Sequence, residues 1–77
     1  MHRYGNPNSG VTEFEILPHE IHLRFRDDGG VYVYTYEKPG PEHVEEMKRL
    51  AQEGRGLSGY VSRHVRGSYA YRCDVSA

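Results

Sequence analysis

The strongest constraint on this chain is a pair of alternating segments around a turn signal. From Ile21 to Arg26, the apolar Ile21, Leu23 and Phe25 alternate with His22, Arg24 and Arg26. That is the period of a half-buried strand. Asp27-Asp28-Gly29-Gly30 follows, and both residue types tolerate the positive φ of tight hairpins. Val31 to Glu37 alternates again, with Val31, Val33 and Thr35 on one side and Tyr32, Tyr34 and Tyr36 on the other. Loop parity decides which side is buried. A two-residue Asp28-Gly29 turn sets Phe25 opposite Tyr32 and Leu23 opposite Tyr34, and a four-residue loop keeps that parity. A three-residue loop sets Phe25 against Val33 and turns the tyrosines outward. The even loop is preferred, because it gathers three apolar residues and three tyrosines on one face, where aromatic cross-strand pairs are favourable.

The rest of the chain adds a strand and two helices. Val11–Leu17 alternates weakly, with Thr12, Phe14 and Ile16 pointing one way and Val11, Glu13 and Glu15 the other. Pro18-His19-Glu20 interrupts it as a turn. Pro39-Gly40-Pro41 ends the sheet, and Pro41 suits the first turn of a helix. Val44, Met47, Leu50 and Ala51 make one apolar stripe on that helix, residues 41–53, with Gly54 as its cap. Ser58 is the expected N-cap of a second helix, residues 59–66, stopped by Gly67, with Leu57, Val61 and Val65 as its stripe. Ser68–Val75 reads either as a short edge strand or as an extended tail, with Tyr69, Tyr71 and Cys73 on one side. The expected class is α+β: a three-stranded antiparallel sheet followed by two helices, β-β-β-α-α. The expected core is Phe14, Ile16, Ile21, Leu23, Phe25, Tyr34, Val44, Met47, Leu50, Val61 and Val65.

With 77 residues the chain holds one small domain. Met1–Gly10 is polar, aperiodic and rich in Asn and Gly, which predicts a disordered lead-in. The domain is then expected over residues 11–72, with 73–77 as a tail. The polar start lacks the apolar core of a signal peptide, and no run approaches a membrane span, so a cytoplasmic protein without a membrane partner is expected. The single cysteine, Cys73, has no internal disulfide partner.

The element order and several residues resemble the KTSC domain, a small module named from the C-terminus of certain lysyl-tRNA synthetases. The matching residues are Leu23, Phe25, Gly29 or Gly30, Tyr32 and Tyr34 in the hairpin. Pro41 and the helix after it follow, then Gly54, Ser58, Tyr60, Val61, Arg63, Val65 and Tyr69. The resemblance spans residues 11–72. It implies a non-catalytic module and, through the synthetase, a nucleic-acid role.

Charge is segregated along the chain. Residues 1–53 hold six Lys/Arg and ten acids, whereas residues 54–72 hold four arginines and no acid. The basic stretch interleaves rings: Arg55, Tyr60, Arg63, His64, Arg66, Tyr69, Tyr71 and Arg72. Guanidinium groups pair with phosphate and flat rings stack on bases, so Arg55, Tyr60, Arg63, His64, Arg66, Tyr69 and Arg72 are the candidate binding residues for RNA or DNA. The bland alternative is a solvated basic face, with Arg63 and Arg66 paired to Glu42, Glu45 or Glu46. A second function is a protein-interaction module meeting another protein or a second copy of itself, since Tyr and Arg also dominate protein interfaces. A third is a ribonuclease similar to RelE-type toxins, with His64 as acid or base and Arg66 as charge stabiliser. The element order, strands before helices, argues against it. His19, Glu20 and His22 lack the further ligands of a metal site. No GxSxG or phosphate-loop motif is present. No cofactor, metal or catalytic residue is therefore expected.

Overall fold

The computed structural model of the chain describes residues 1–26 and 28–74. Among them, five strands form one antiparallel sheet in sequential order: β1 (His2–Arg3), β2 (Val11–Leu17), β3 (Glu20–Phe25), β4 (Gly30–Thr35) and β5 (Tyr71–Asp74). Two helices follow β4: α1 (Pro41–Glu53) and α2 (Leu57–Tyr60), the latter widening into a π-helical turn over Val61–Val65. The class is α+β as expected, but the sheet gains a strand at each end of the expected three.

The hairpin has the even parity. Leu23 pairs with Tyr32 and Ile21 with Tyr34, so Phe25 and Tyr34 share a face. Residues 26–29 make the four-residue connection, and Asp27 lies outside the described residues. Ile21, Leu23 and Tyr34 are buried there with Val44, Met47, Ala51, Leu57, Val61 and Val65. Phe14, Ile16, Phe25 and Leu50, expected inside, are half-buried at the margin of this cluster.

Helix α1 has the expected bounds. Gly54 caps it in the left-handed conformation (φ 78°), a region that penalises any Cβ, and its N–H bonds the Leu50 carbonyl at 2.9 Å. The second helix starts earlier than expected. Gly56, not Ser58, is the N-cap, and no side chain caps it. Starting at Leu57 brings that residue into the first turn and buries it completely. Burial of a leucine outweighs the hydroxyl cap that a start at Ser58 offers.

Two further expectations are corrected. Val11, expected on the side of Glu13 and Glu15, is buried. The register runs from Val11↔Phe25 to Glu13↔Arg24, so one extra residue in β2 forms a bulge that turns Val11 inward. Met1–Gly10 is not a disordered lead-in. β1 pairs with β2, and Tyr4 is only 3% exposed. The Tyr4 ring packs edge-on against Phe14, and its hydroxyl accepts the N–H of Leu57 at 3.2 Å. That N–H belongs to the uncapped helix start, so Tyr4 supplies from 53 positions away the partner Ser58 does not.

Tyr4 should therefore matter as much as a residue of the central hairpin. Tyr4→Ala is expected to cost about 3–5 kcal/mol, and Leu23→Ala about 2–5 kcal/mol. Tyr4→Phe, which removes only the acceptor, should cost about 1 kcal/mol. Urea unfolding of the three variants checks this. A Tyr4→Ala value near zero would return the segment to a passive tail.

Candidate nucleic-acid interface

The seven candidate residues fall into four places. Arg66 and Tyr69 line a cleft of about 500 Å³ between the sheet and the π-helical turn, and Arg72 lies behind its wall, against Asp28 and Tyr32. Its walls are aromatic because the even register points Phe25, Tyr32 and Tyr34 toward the helices. Phe25 meets Tyr32 edge-on at 5.2 Å, and Tyr69 meets Tyr32 edge-on at 4.8 Å. Tyr69 was expected on the side of Tyr71 and Cys73. It lies instead on the helix-facing side, because the strand begins only at Tyr71 and residues 67–70 cross beneath the turn. There Ser68 N–H bonds the Val65 carbonyl, and Ala70 N–H bonds the Val33 carbonyl. Ser68–Asp74 thus resolves as a crossing and an edge strand, while Val75 and the rest of the tail lie outside the described residues.

Tyr60 and His64 form a second cluster on the opposite flank of the turn, with His43 of α1. Tyr60 hydroxyl and His43 Nδ1 share a hydrogen bond at 2.7 Å, and the Tyr60 and His64 rings are 4.6 Å apart. Burial raises the Tyr60 hydroxyl above its ordinary value, helped by the charges of Glu46 and Glu42. His64 and Arg66, the catalytic pair of the ribonuclease reading, therefore occupy different clusters. Arg63 is exposed between Tyr60/His64 on one flank and Ser62/Arg66 on the other. Arg55 stands apart, in the loop between α1 and α2.

The four arginines differ in what neutralises them. Arg72 is engaged. Its guanidinium bonds Asp28 at 2.7 Å, pairs with Asp74, and lies 5.5 Å from the Tyr32 ring centroid. Among the described residues, Arg55, Arg63 and Arg66 meet no carboxylate within 4.0 Å. The pairing of Arg63 or Arg66 with α1 does not occur: Glu45 takes Lys48 and the Tyr36 hydroxyl, and Glu46 takes Arg49. A wider concavity, about 560 Å³, lies against the N-terminal segment. Its Arg26 donates to the carbonyls of Pro7 and Ser9, which ties that arginine to the backbone.

Asp28 is the functional neighbour the sequence did not single out. It reads as a turn former, yet its carboxylate accepts from Arg72, from Gly30 N–H at 2.9 Å and from Tyr32 hydroxyl at 2.7 Å. Arg72 first, then Gly30 and Tyr32, lower its pKa from 3.8 to about 2. Gly30 makes room for this. A Cβ there would stand 2.5 Å from the Arg72 guanidinium carbon. His43, also missed, sits one residue off the apolar stripe of α1, where it reads as an ordinary surface histidine.

No family model, no curated protein and no solved structure matches this chain. The resemblance to the KTSC domain gains no support from them.

The Asp28 cluster has a pH signature. Its folded pKa lies below the unfolded 3.8, so its contribution to stability is present above that value and fades as pH falls toward 2. Comparing Asp28→Asn with the parent chain, the gap in thermal midpoint should be widest above about pH 5 and close on acidification toward pH 2. A gap that stays constant across that window would show that the carboxylate charge is not what Arg72 recognises. Gly30→Ala, by pushing Arg72 aside, should raise the Asp28 pKa, as read by NMR titration.

Proposed function

We propose that the chain binds single-stranded nucleic acid, RNA or DNA, along the outer surface of the π-helical turn. Arg63 and Arg66 hold phosphates, Arg55 extends the basic track, and the ring clusters on either flank receive bases. The observation that carries this reading is the absence, among the described residues, of any carboxylate partner for these arginines, although α1 beside them is rich in glutamate. A charge not satisfied internally is available to an external anion. Tyr60 with His64 on one flank, and Tyr69 on the other, supply the flat surfaces that unpaired bases need and duplexes bury. Arg72 plays a different part from the one its sequence position suggests: it holds Asp28 and the edge strand, and so shapes the cleft. The reading assigns a non-catalytic, cytoplasmic binding module.

Fluorescence anisotropy with a labelled single-stranded 12-mer, repeated at several salt concentrations, tests this. Arg63→Ala/Arg66→Ala should keep the fold, since both side chains lie off the buried stripe. It should weaken binding and reduce the slope of log K against log salt by about 1.4, roughly 0.7 per lost phosphate contact on a single strand. Arg49→Ala, which removes a cation already paired with Glu46 and Glu53, should leave the slope unchanged. If the parent chain shows no salt-sensitive binding at tens of micromolar, the proposal fails.

A further inference from the structure

The two edges of the sheet are unlike. At one edge, β1 has two residues and the neighbouring β2 carries a bulge. Short strands and bulges are what blunt an edge against pairing. At the other edge stands β5, four residues long, all exposed, without proline or bulge. It pairs with β4 and, among the described residues, with no other strand. Its outer row of backbone N–H and C=O groups has no partner from the sheet.

The open face of the sheet changes character toward that edge. Over β2 and β3 it is charged, with Glu13 on Arg24 at 3.0 Å and Glu20 on His22 at 2.7 Å. Over β4 and β5 the register aligns Val31 with Cys73 and Val33 with Tyr71, with no charge among them. Tyr71 is 51% exposed. Val33 is already buried and Val31 half-buried, so the uncharged exposed surface here is Tyr71 and Cys73 on the edge strand itself, which a continuation of the sheet would flank.

On the other face of β5, Arg72 and Asp74 stand two residues apart with opposite charge. Residues facing each other across an antiparallel pair share a face, so a two-fold axis normal to the sheet must pass through a residue. An axis at Arg72 opposes two guanidinium groups, and one at Asp74 opposes two carboxylates. Both are destabilising. An axis at Tyr71 requires Ser68–Ala70 as strand, but the strand begins only at Tyr71 and those residues belong to the crossing. An axis at Cys73 sets Arg72 of each copy against Asp74 of the other and continues the Val31–Cys73 row across the interface.

We propose that two copies of the chain pair antiparallel through β5 about Cys73, joining their sheets into one of ten strands. Opposed residues in such a pair have Cα atoms about 4.5–5.5 Å apart, within disulfide range. Cys73 then reports the axis. The full chain, without nucleic acid, is studied by sedimentation equilibrium under reducing conditions and by copper–phenanthroline oxidation followed by non-reducing electrophoresis. The parent chain should dimerise reversibly and oxidise to a Cys73-linked dimer. Asp74→Arg opposes like charges twice, and should sediment as a monomer with unchanged circular dichroism and lose the cross-link at least tenfold. Arg72→Asp should do the same alone. An equimolar mixture of the two variants restores opposite charges at both positions and should cross-link into heterodimers in preference to either homodimer. Should Arg72→Asp unfold for want of its Asp28 contact, Asp74→Arg decides alone. A parent chain that stays monomeric at about 1 mM, an Asp74→Arg chain that dimerises as well as the parent, or a folded mixture without heterodimer preference overturns the proposal. Because no nucleic acid is present, these outcomes are separate from those of the binding assay.

Discussion

Leu23 stands across from Tyr32 and Ile21 across from Tyr34, and the rest of the molecule follows from that register. It sends the aliphatic side of β3 and the tyrosine side of β4 to one face, which the helices then cover. Tyr34 is taken into the core, where burial lifts its hydroxyl far above the ordinary range. Tyr32 reaches Asp28 and meets the Tyr69 ring, so the boundary of the core becomes the wall of a cleft. A slip of one residue would turn Val31 and Val33 toward the helices and Tyr32 and Tyr34 away from them, abolishing both core and cleft.

The parts of the fold legible in the sequence are those governed by local periodicity. The alternation of Ile21–Phe25, the stripe of Val44, Met47 and Ala51, and the glycine after Glu53 each carry their signal within a few residues. What was not legible depends on distant partners. Tyr4 sits in a segment whose composition says disorder, and distant partners hold it: β2 through the pairing of β1, Phe14 through the Tyr4 ring and Leu57 N–H through its hydroxyl. The bulge beside Val11 has no sequence mark, because β2 alternates through it with the wrong parity. Leu57 belongs to the expected stripe of the second helix, but a serine one residue on is the stronger local start signal, and the complete burial of Leu57 sets the start at Gly56 instead.

The candidate site was legible as composition and not as geometry. Counting charge showed an acid-free stretch with four arginines, but not which of them remain free. Asp28, 44 positions away in sequence, engages Arg72, Lys48 and Arg49 take Glu45 and Glu46, and Glu42 meets neither Arg63 nor Arg66 within 4.0 Å among the described residues. The interleaved rings looked like one track. The π-helical turn splits them, with Tyr60 and His64 on one flank and Tyr69 on the other, leaving Arg63 exposed between. Arg66 thus shares the cleft of Tyr69 while Arg63 stands exposed on the turn, an order that no one-dimensional spacing displays.

The two proposals concern different parts of the molecule and are geometrically compatible. The basic turn packs on the helix-covered face, whereas self-pairing uses the edge of β5 and continues the open face. A two-fold axis normal to the sheet leaves both helical layers on the same side. Each copy would then present Arg63 and Arg66 in the same direction, with the crossings at Tyr69 flanking the joined strands. A single strand long enough to reach both turns would meet a second basic surface at high effective concentration, gaining affinity without any new contact. Arg72 links the two roles. The guanidinium that fixes Asp28 and Tyr32, and so the cleft, belongs to the strand that faces its counterpart across the axis.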